Sequence, residues 1–395
     1  MKLHLNALGV INPLGRGKDE VARSLFKGSR AGLVHRAGLL PDRSIRAGVV
    51  PGALPELPAR LAHLNCRNNR LALAALGEIE DDIKTSVERV GAHRVAVVMG
   101  TSTSGIAEGE VALAQRVANG EWPQGFRYSL QEIGNLAGFV AAYLELGGPA
   151  YTIATACSSS AKVFASAQRL IEAGLCDAAL VGGADTLCRM TLCGFDSLAA
   201  LAKDYCNPFS RNRDGINIGE GAAVFLLTTE ESAVSLLGVG ESADAHHVSA
   251  PHPDGDGAAL AMWRALAAAH LRPEQIDYIN LHGTATELND AMEARAVDRI
   301  FGDRTPCSST KSMTGHLLGA AGANEAAFLW LMLEPGFASG CVPPHLWDGE
   351  ADPAIPRLNL VPMQFQLAHP ERVAALSNSF AFGGSNASVV LGRGW

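Results

Sequence analysis

Aromatic residues make up only 6% of this 395-residue chain. Apolar residues reach 48%, but no run of roughly 18 or more stays free of charge, which argues against a membrane-spanning helix. Basic excess is also missing. The formal net charge is −8, so nucleic-acid binding has no global electrostatic support. The eight cysteines include no C-x-x-C pair, and no histidine cluster completes a zinc pattern, so no metal is expected. His246-His247 reads as a solvated loop pair. No disulfide spacing or secretory leader is apparent, and the opening apolar run is interrupted by His4, Asn6 and Asn12. It reads as a first strand, and a reducing cytoplasm is the expected compartment. Neither G-x-G-x-x-G nor a phosphate-binding loop is present, so no nucleotide cofactor is expected. The absence of G-x-S-x-G removes an ordinary serine hydrolase.

What is abundant is small residues, 42 glycines among them, which suits helices packed closely against sheet. Buried-strand patterns at 95–99, 151–155, 178–182 and 222–227 alternate with helical stretches and Gly-rich turns, predicting α/β layers. The scheme recurs at 276–281, 306–310, 373–376 and 387–391, with a helix expected over 317–333. The echo suggests a duplication, with halves at 1–235 and 236–395.

Each half carries a reactive side chain at a strand-to-helix turn. Cys157 lies in Ala154-Thr155-Ala156-Cys157-Ser158-Ser159-Ser160, ahead of a helical pattern over 161–173. Exposed N–H groups and partial positive charge at a helix start favour a thiolate, hence a nucleophile. The competing reading is a small buried cysteine without chemistry. His282 opens His282-Gly283-Thr284-Ala285-Thr286-Glu287-Leu288-Asn289-Asp290, and His316 follows Lys311 in Lys311-Ser312-Met313-Thr314-Gly315-His316. Both stand at predicted strand ends flanked by glycine, where α/β proteins gather their sites. The loop Asn378-Ser379-Phe380-Ala381-Phe382-Gly383-Gly384-Ser385-Asn386 allows an unusual backbone path, and its N–H groups could hold an oxyanion. A plain hairpin with two core phenylalanines is the alternative.

Together these four segments resemble the β-ketoacyl-[acyl-carrier-protein] synthases, condensing enzymes of the thiolase superfamily. The likeness runs over essentially the whole chain and follows the Cys-His-His branch. It implies a thiolase-like duplicated α-β-α-β-α layered fold. It implies that Cys157 carries an acyl thioester, and that His282 and His316 bind the malonyl-carrier thioester carbonyl and assist decarboxylation. The amides of Cys157 and Phe382 would hold the oxyanion, within a gating loop of Phe380, Phe382, Gly383 and Gly384. Lys311 and Glu325 match family positions and are expected to pair. Asp290 is expected to cap the following helix, Asn386 to shape the Phe382 loop, and Thr284 and Thr286 to contact the pantetheine arm. No cofactor is implied, because loss of CO₂ drives the reaction.

Departures from the family pattern are Ala381, Ile216 and Glu287. The polar segment over 100–106 and the Leu5-to-Gly9 start are similar to the synthases of aryl-polyene pigment clusters. That similarity implies an unsaturated, aryl-capped chain and a heterodimer with a chain-length-factor-like synthase; a homodimer is the other expected assembly. An acidic acyl carrier protein needs a local basic patch. Arg67 and Arg70, three apart on an expected helix, are candidates, with Arg127, Arg211 and Arg213 behind them. Two other readings remain open: a non-catalytic chain-length-factor-like subunit, or a coenzyme A-dependent thiolase-type acyltransferase. Cys157 argues against the first. The absence of a cysteine near the last Gly-rich loop argues against the second.

Overall fold

The computed structural model describes residues 1–337 and 340–395. Its main sheet is built from β1 (Leu3–Asn12), β2 (Val95–Gly100), β3 (Ala150–Ile153), β4 (Ala178–Asp185), β5 (Gly221–Thr228), β6 (Ser235–Ala243), β7 (Tyr278–Asn280), β8 (Pro306–Ser308), β9 (Asn359–Leu360), β10 (Val373–Phe380) and β11 (Ser385–Arg393). The spatial order is β9-β8-β7-β10-β11-β6-β1-β5-β4-β2-β3.

The pairing pattern repeats. In the first half β3, β2 and β4 are parallel, and β5 and β1 join antiparallel. In the second, β8, β7 and β10 are parallel, and β11 and β6 join antiparallel. The halves meet along β1 and β6, through Leu3 opposite Leu236 and His4 opposite Ser235.

Among the helices of the described residues, six frame the site: α1 (Arg67–Leu76), α2 (Asn135–Leu144), α3 (Ser159–Glu172), α4 (Asp256–Ala269), α5 (Glu287–Phe301) and α6 (Ala321–Leu333). Helices α1 and α2 pack with β1, β2, β3 and β5, and α4 packs with β6, β11 and α5. Helices α3 and α6 lie between, touching each other and strands of both halves. This is the expected α-β-α-β-α layering. Every residue of α6 is buried, which fits an all-round apolar sequence for a central helix. The abundance of small residues has its use here. A Cβ on Gly322 of α6 would lie 2.7 Å from Ala161 of α3, so the two helices approach where side chains are smallest.

Two expected boundaries moved for physical reasons. Strand β10 runs on to Phe380, past the apolar stretch, because its backbone pairs with β11 as far as Phe380 opposite Asn386, and one of its polar side chains is bonded across that pairing. Asn378 Oδ1 accepts the Ser388 hydroxyl at 2.8 Å. The helix expected from residue 317 begins at Ala321. Leu318 takes a left-handed φ of +52°, and a short 3₁₀ turn, Leu318–Ala320, comes first.

No helix among the described residues is long and apolar enough to cross a membrane.

Candidate active site

The chain enters the Cys157 turn from β3 and leaves it as α3, with Ser158 at the helix start. Ala156 adopts φ +49°, uncommon for a residue with a Cβ. The turn is held by its own polar groups. Thr155 N–H donates to Ser159 Oγ at 2.9 Å, Ser159 Oγ donates to the Ala156 carbonyl at 2.5 Å, and Ser102 Oγ reaches the same carbonyl at 3.3 Å.

Residues far apart in sequence converge on that turn. One ligand-type atom each from Cys157, His282 and His316 lie within 4.8 Å of one another, and all three residues are buried. The two imidazoles stand edge to face, with centroids 5.3 Å apart and planes at 85°. Phe380 packs against His282 at 6.0 Å. Lys311 Nζ lies 3.4 Å from His282 Nδ1 and is ion-paired with Glu325, both side chains buried. Glu325 Oε2 and both ring nitrogens of His316 have no protein partner.

The electrostatics follow from burial. It pushes the Cys157 thiol up to about 11, against the opposing pull of Lys311 and of the Phe382 and Cys157 N–H groups. The resting group is therefore a thiol, and the thiolate expected from the helix end is outweighed by desolvation. Burial, reinforced by the nearby Lys311 charge, holds both His282 and His316 well below the usual imidazole range. Both rings are neutral near pH 7, able to accept a proton at one nitrogen and donate from the other. The Lys311 ammonium can only donate, so His282 Nδ1 is the acceptor and its proton sits on Nε2. Two backbone donors, Cys157 and Phe382, bear on the sulfur. The arrangement can support thiol acylation beside an anion-stabilising cluster.

The Phe382 loop closes one side. Gly383 and Gly384 adopt φ +84° and +74°. Gly383 N–H donates to Val248 O at 2.8 Å, and Asp244 N–H donates to Gly384 O at 2.8 Å. Asn386 Nδ2 donates to Asp244 Oδ1 at 2.6 Å, so Asn386 shapes the loop by anchoring its neighbour. Phe382 is partly exposed and packs on Phe195 at 5.5 Å. A cavity of about 360 Å³ opens onto Cys157, His282, His316, Phe380 and Phe382. Thr284 and Thr286, hydrogen-bonded to each other at 2.9 Å, line it, as do Ala381, Ile216 and Glu287.

Two expectations are corrected. Asp290 does not cap α5, whose N-cap is Thr286 with no side-chain cap. It instead accepts Phe209 N–H at 2.7 Å and Ala285 N–H at 3.1 Å, tying the loop before Arg211 to the His282 loop. Arg67 and Arg70 are not free for docking. Arg67 Nε donates to buried Glu220 at 2.7 Å, and Arg70 is held by the Leu54 and Pro55 carbonyls and by Glu56. Arg213 is likewise paired, with Asp352. Arg127 and Arg211 remain exposed.

Sequence reasoning missed Glu293 and Asp185. Glu293 is buried and accepts the N–H groups of His282 at 2.8 Å and Gly283 at 2.7 Å, fixing the backbone under the histidine. Its signal was legible: Glu293 follows Asp290 by three residues, a pair of carboxylates on one helix face. Asp185 ends β4 behind Cys157, and nothing in its local sequence marks it.

A sequence model described as the N-terminal domain of beta-ketoacyl synthase matches residues 6–233, and one for the C-terminal domain matches residues 234–346. A 3-oxoacyl-[acyl-carrier-protein] synthase 2 of Rhizobium meliloti (strain 1021) is 40% identical over 278 residues. That match spans 65% of this chain and 64% of the relative, just under two thirds of its length. The protein of the same name from Staphylococcus aureus (strain MRSA252) is 29% identical over 420 residues, covering 99% of this chain and 98% of its own. A solved ketosynthase (ApeO), in complex with its chain length factor (ApeC) from Xenorhabdus doucetiae, superposes with a TM-score of 0.94. Its sequence identity is 46% over 99% of this chain and 98% of that one.

Proposed function

The chain belongs to the β-ketoacyl synthase family of condensing enzymes, and from that premise we propose that it performs a decarboxylative Claisen condensation with Cys157 as the acyl carrier. The observation that carries the proposal is the convergence of Cys157, His282 and His316 within 4.8 Å. The product is a 3-oxoacyl-[acyl-carrier protein].

In the first half-reaction Cys157 Sγ attacks the thioester carbonyl of an acyl-carrier protein. Its proton passes to a neutral imidazole, and the carrier thiol leaves with a proton. In the second, the malonyl-carrier thioester loses CO₂. The electron pair of the broken C–C bond moves toward the carbonyl oxygen, and imidazole N–H donors stabilise the resulting enolate. Its carbon attacks the acyl-Cys157 carbonyl. The new oxyanion lies against the Phe382 and Cys157 N–H groups, and collapse breaks the C–S bond, releasing the Cys157 thiolate, which takes a proton from solvent and returns to the thiol. His282 is set for the donor role because Lys311 leaves its proton on Nε2. No step needs a further cofactor.

We propose the aryl-polyene type of pathway, an acyl carrier protein as substrate carrier, and a chain-length-factor-like partner. The likeness to a ketosynthase solved with its chain length factor supports that partner. So does an exposed apolar set on the helix Ile106–Asn119, where Val111, Leu113 and Val117 face solvent. Residues 1–235 and 236–395 are the proposed units, and the reducing cytoplasm is the proposed compartment, in keeping with eight free cysteines.

The test is intact-mass analysis after incubation with a panel of acyl-carrier proteins. A single acyl adduct on the wild type, chased to 3-oxoacyl product by malonyl-carrier protein, supports the reading. Product formation by Cys157→Ala refutes it.

A further inference from the structure

We infer that Asp185 is a positioning residue whose buried carboxylate ties the turn presenting Cys157 to the segment carrying His316. The inference rests on the condensing role proposed above for those two side chains. Asp185 is fully buried at the end of β4. Its Oδ1 accepts the Thr101 hydroxyl at 2.7 Å, the Thr103 hydroxyl at 2.6 Å and the Thr103 N–H at 2.7 Å. Ser102 N–H lies 2.9 and 3.1 Å from the two oxygens, and Oδ2 accepts Ala320 N–H at 3.0 Å. One carboxylate therefore joins two stretches more than two hundred residues apart in sequence.

Each stretch leads to a left-handed turn at a catalytic segment. From the first, Ser102 Oγ donates to the carbonyl of Ala156, the residue at φ +49° just before Cys157. From the second, Ala320 closes the short turn that begins at Leu318, φ +52°, two residues after His316. Such conformations in residues other than glycine are strained and persist only where the surroundings hold them. Asp185 holds both. Gly319 makes the meeting possible, since a Cβ there would stand 2.6 Å from Ser102 Oγ and 2.7 Å from Asp185 Oδ2.

Every group facing Asp185 in these contacts is a donor, so the position needs an acceptor-only side chain. An asparagine would turn an NH₂ group toward N–H or O–H donors. Charge gives Asp185 no activating role, because a carboxylate at this place raises the Cys157 thiol further rather than lowering it. Its contribution to the nucleophile is geometric.

The test uses the full chain, with any partner that copurifies, and two variants, Asp185→Asn and Gly319→Ala. Condensation kinetics, thermal midpoint and the pH profile of Cys157 alkylation by iodoacetamide are measured on each. Both variants are expected to lose kcat on the order of tenfold to a hundredfold in the folded fraction, because misplacing reacting groups by about 1 Å has that effect. KM should stay within about twofold, as for an interaction that does not bind substrate. Asp185→Asn alone should move the alkylation profile to lower pH, since it removes a negative charge near the sulfur. An unchanged kcat in folded Asp185→Asn or Gly319→Ala overturns the inference, as does a rise in KM with kcat intact. Should Asp185→Asn fail to fold, the Gly319→Ala kinetics decide. If the wild type itself does not condense, the condensing role fails, and the rate of Cys157 alkylation at fixed pH in Gly319→Ala decides instead: a changed rate supports the positioning of Cys157 and an unchanged rate overturns it.

Discussion

Lys311 reaches His282 and Glu325 at once: its ammonium lies 3.4 Å from His282 Nδ1 and forms an ion pair with the Glu325 carboxylate. Removing it should have two separable effects. Lys311→Met leaves a buried carboxylate unpaired, which costs about 3–5 kcal/mol. The double variant Lys311→Met with Glu325→Leu should recover most of that stability in thermal unfolding. Its condensation rate should stay low, because nothing then fixes the His282 tautomer. Recovery of rate in the double variant would show that Lys311 serves stability only.

His316 makes no side-chain hydrogen bond, so truncation should spare the fold. For His316→Ala we expect a small change in thermal midpoint and a fall on the order of 10²–10³ in malonyl decarboxylation, the usual effect of losing one anion-stabilising donor. Acylation of Cys157 from an acyl donor should continue at a detectable rate. Release of CO₂ and intact mass, measured on the same sample, separate the two half-reactions.

Labelling of Cys157 reports its ionisation. Burial raises the thiol to about 11 while the Lys311 charge lowers it. The rate of iodoacetamide reaction in the wild type should therefore still be climbing at pH values where an ordinary thiol has levelled off. Lys311→Met should push the rise to still higher pH, since a stabilising cation has gone. A shift to lower pH would contradict this account.

Glu293 predicts a pH dependence of stability. Burial raises its carboxyl to about 7 in the folded protein, above the ordinary 4.5. Between those values the folded state binds more protons than the unfolded state, so this contribution is complete below pH 4.5 and is lost as pH rises through 7. The slope is at most about 1.4 kcal/mol per pH unit for one proton. Glu293→Gln should flatten this part of the unfolding profile, measured by denaturant titration from pH 4.5 to 8.

The two loop glycines should differ. Gly383 has a left-handed φ with open space around a would-be Cβ, so alanine there meets backbone strain alone, about 1–2 kcal/mol. At Gly384 the same strain is joined by a contact 2.8 Å from Asp244 Cβ. Gly384→Ala should therefore lose more condensation rate than Gly383→Ala in steady-state assays.

Much of the fold was legible because its strands are short apolar runs bounded by glycine, and the same pattern recurs in both halves. Boundaries were less so. The C-terminal part of β10 looks polar in sequence, and it is its backbone pairing with β11, distant from any local pattern, that makes it strand. Helix α6 starts late because Leu318 is held left-handed by contacts that no local pattern records. Arg67 and Arg70 looked like a docking face because their spacing is helical, but spacing does not reveal that Glu220 and the Leu54 and Pro55 carbonyls already occupy them. Asp290 read as a cap from its place after the His282 loop, whereas its oxygens accept the Phe209 and Ala285 N–H groups.

The sequence by itself determined which side chains could do chemistry. Cys157, His282 and His316 each sit in a local strand–turn–helix signature, and turn chemistry depends on a few adjacent residues. Only the tertiary structure decided the state and setting of those side chains: a thiol raised by burial, imidazoles kept neutral, and the carboxylates of Asp185 and Glu293 beneath them. Desolvation and hydrogen bonding there depend on groups far apart in the chain, which come together only when both halves are packed.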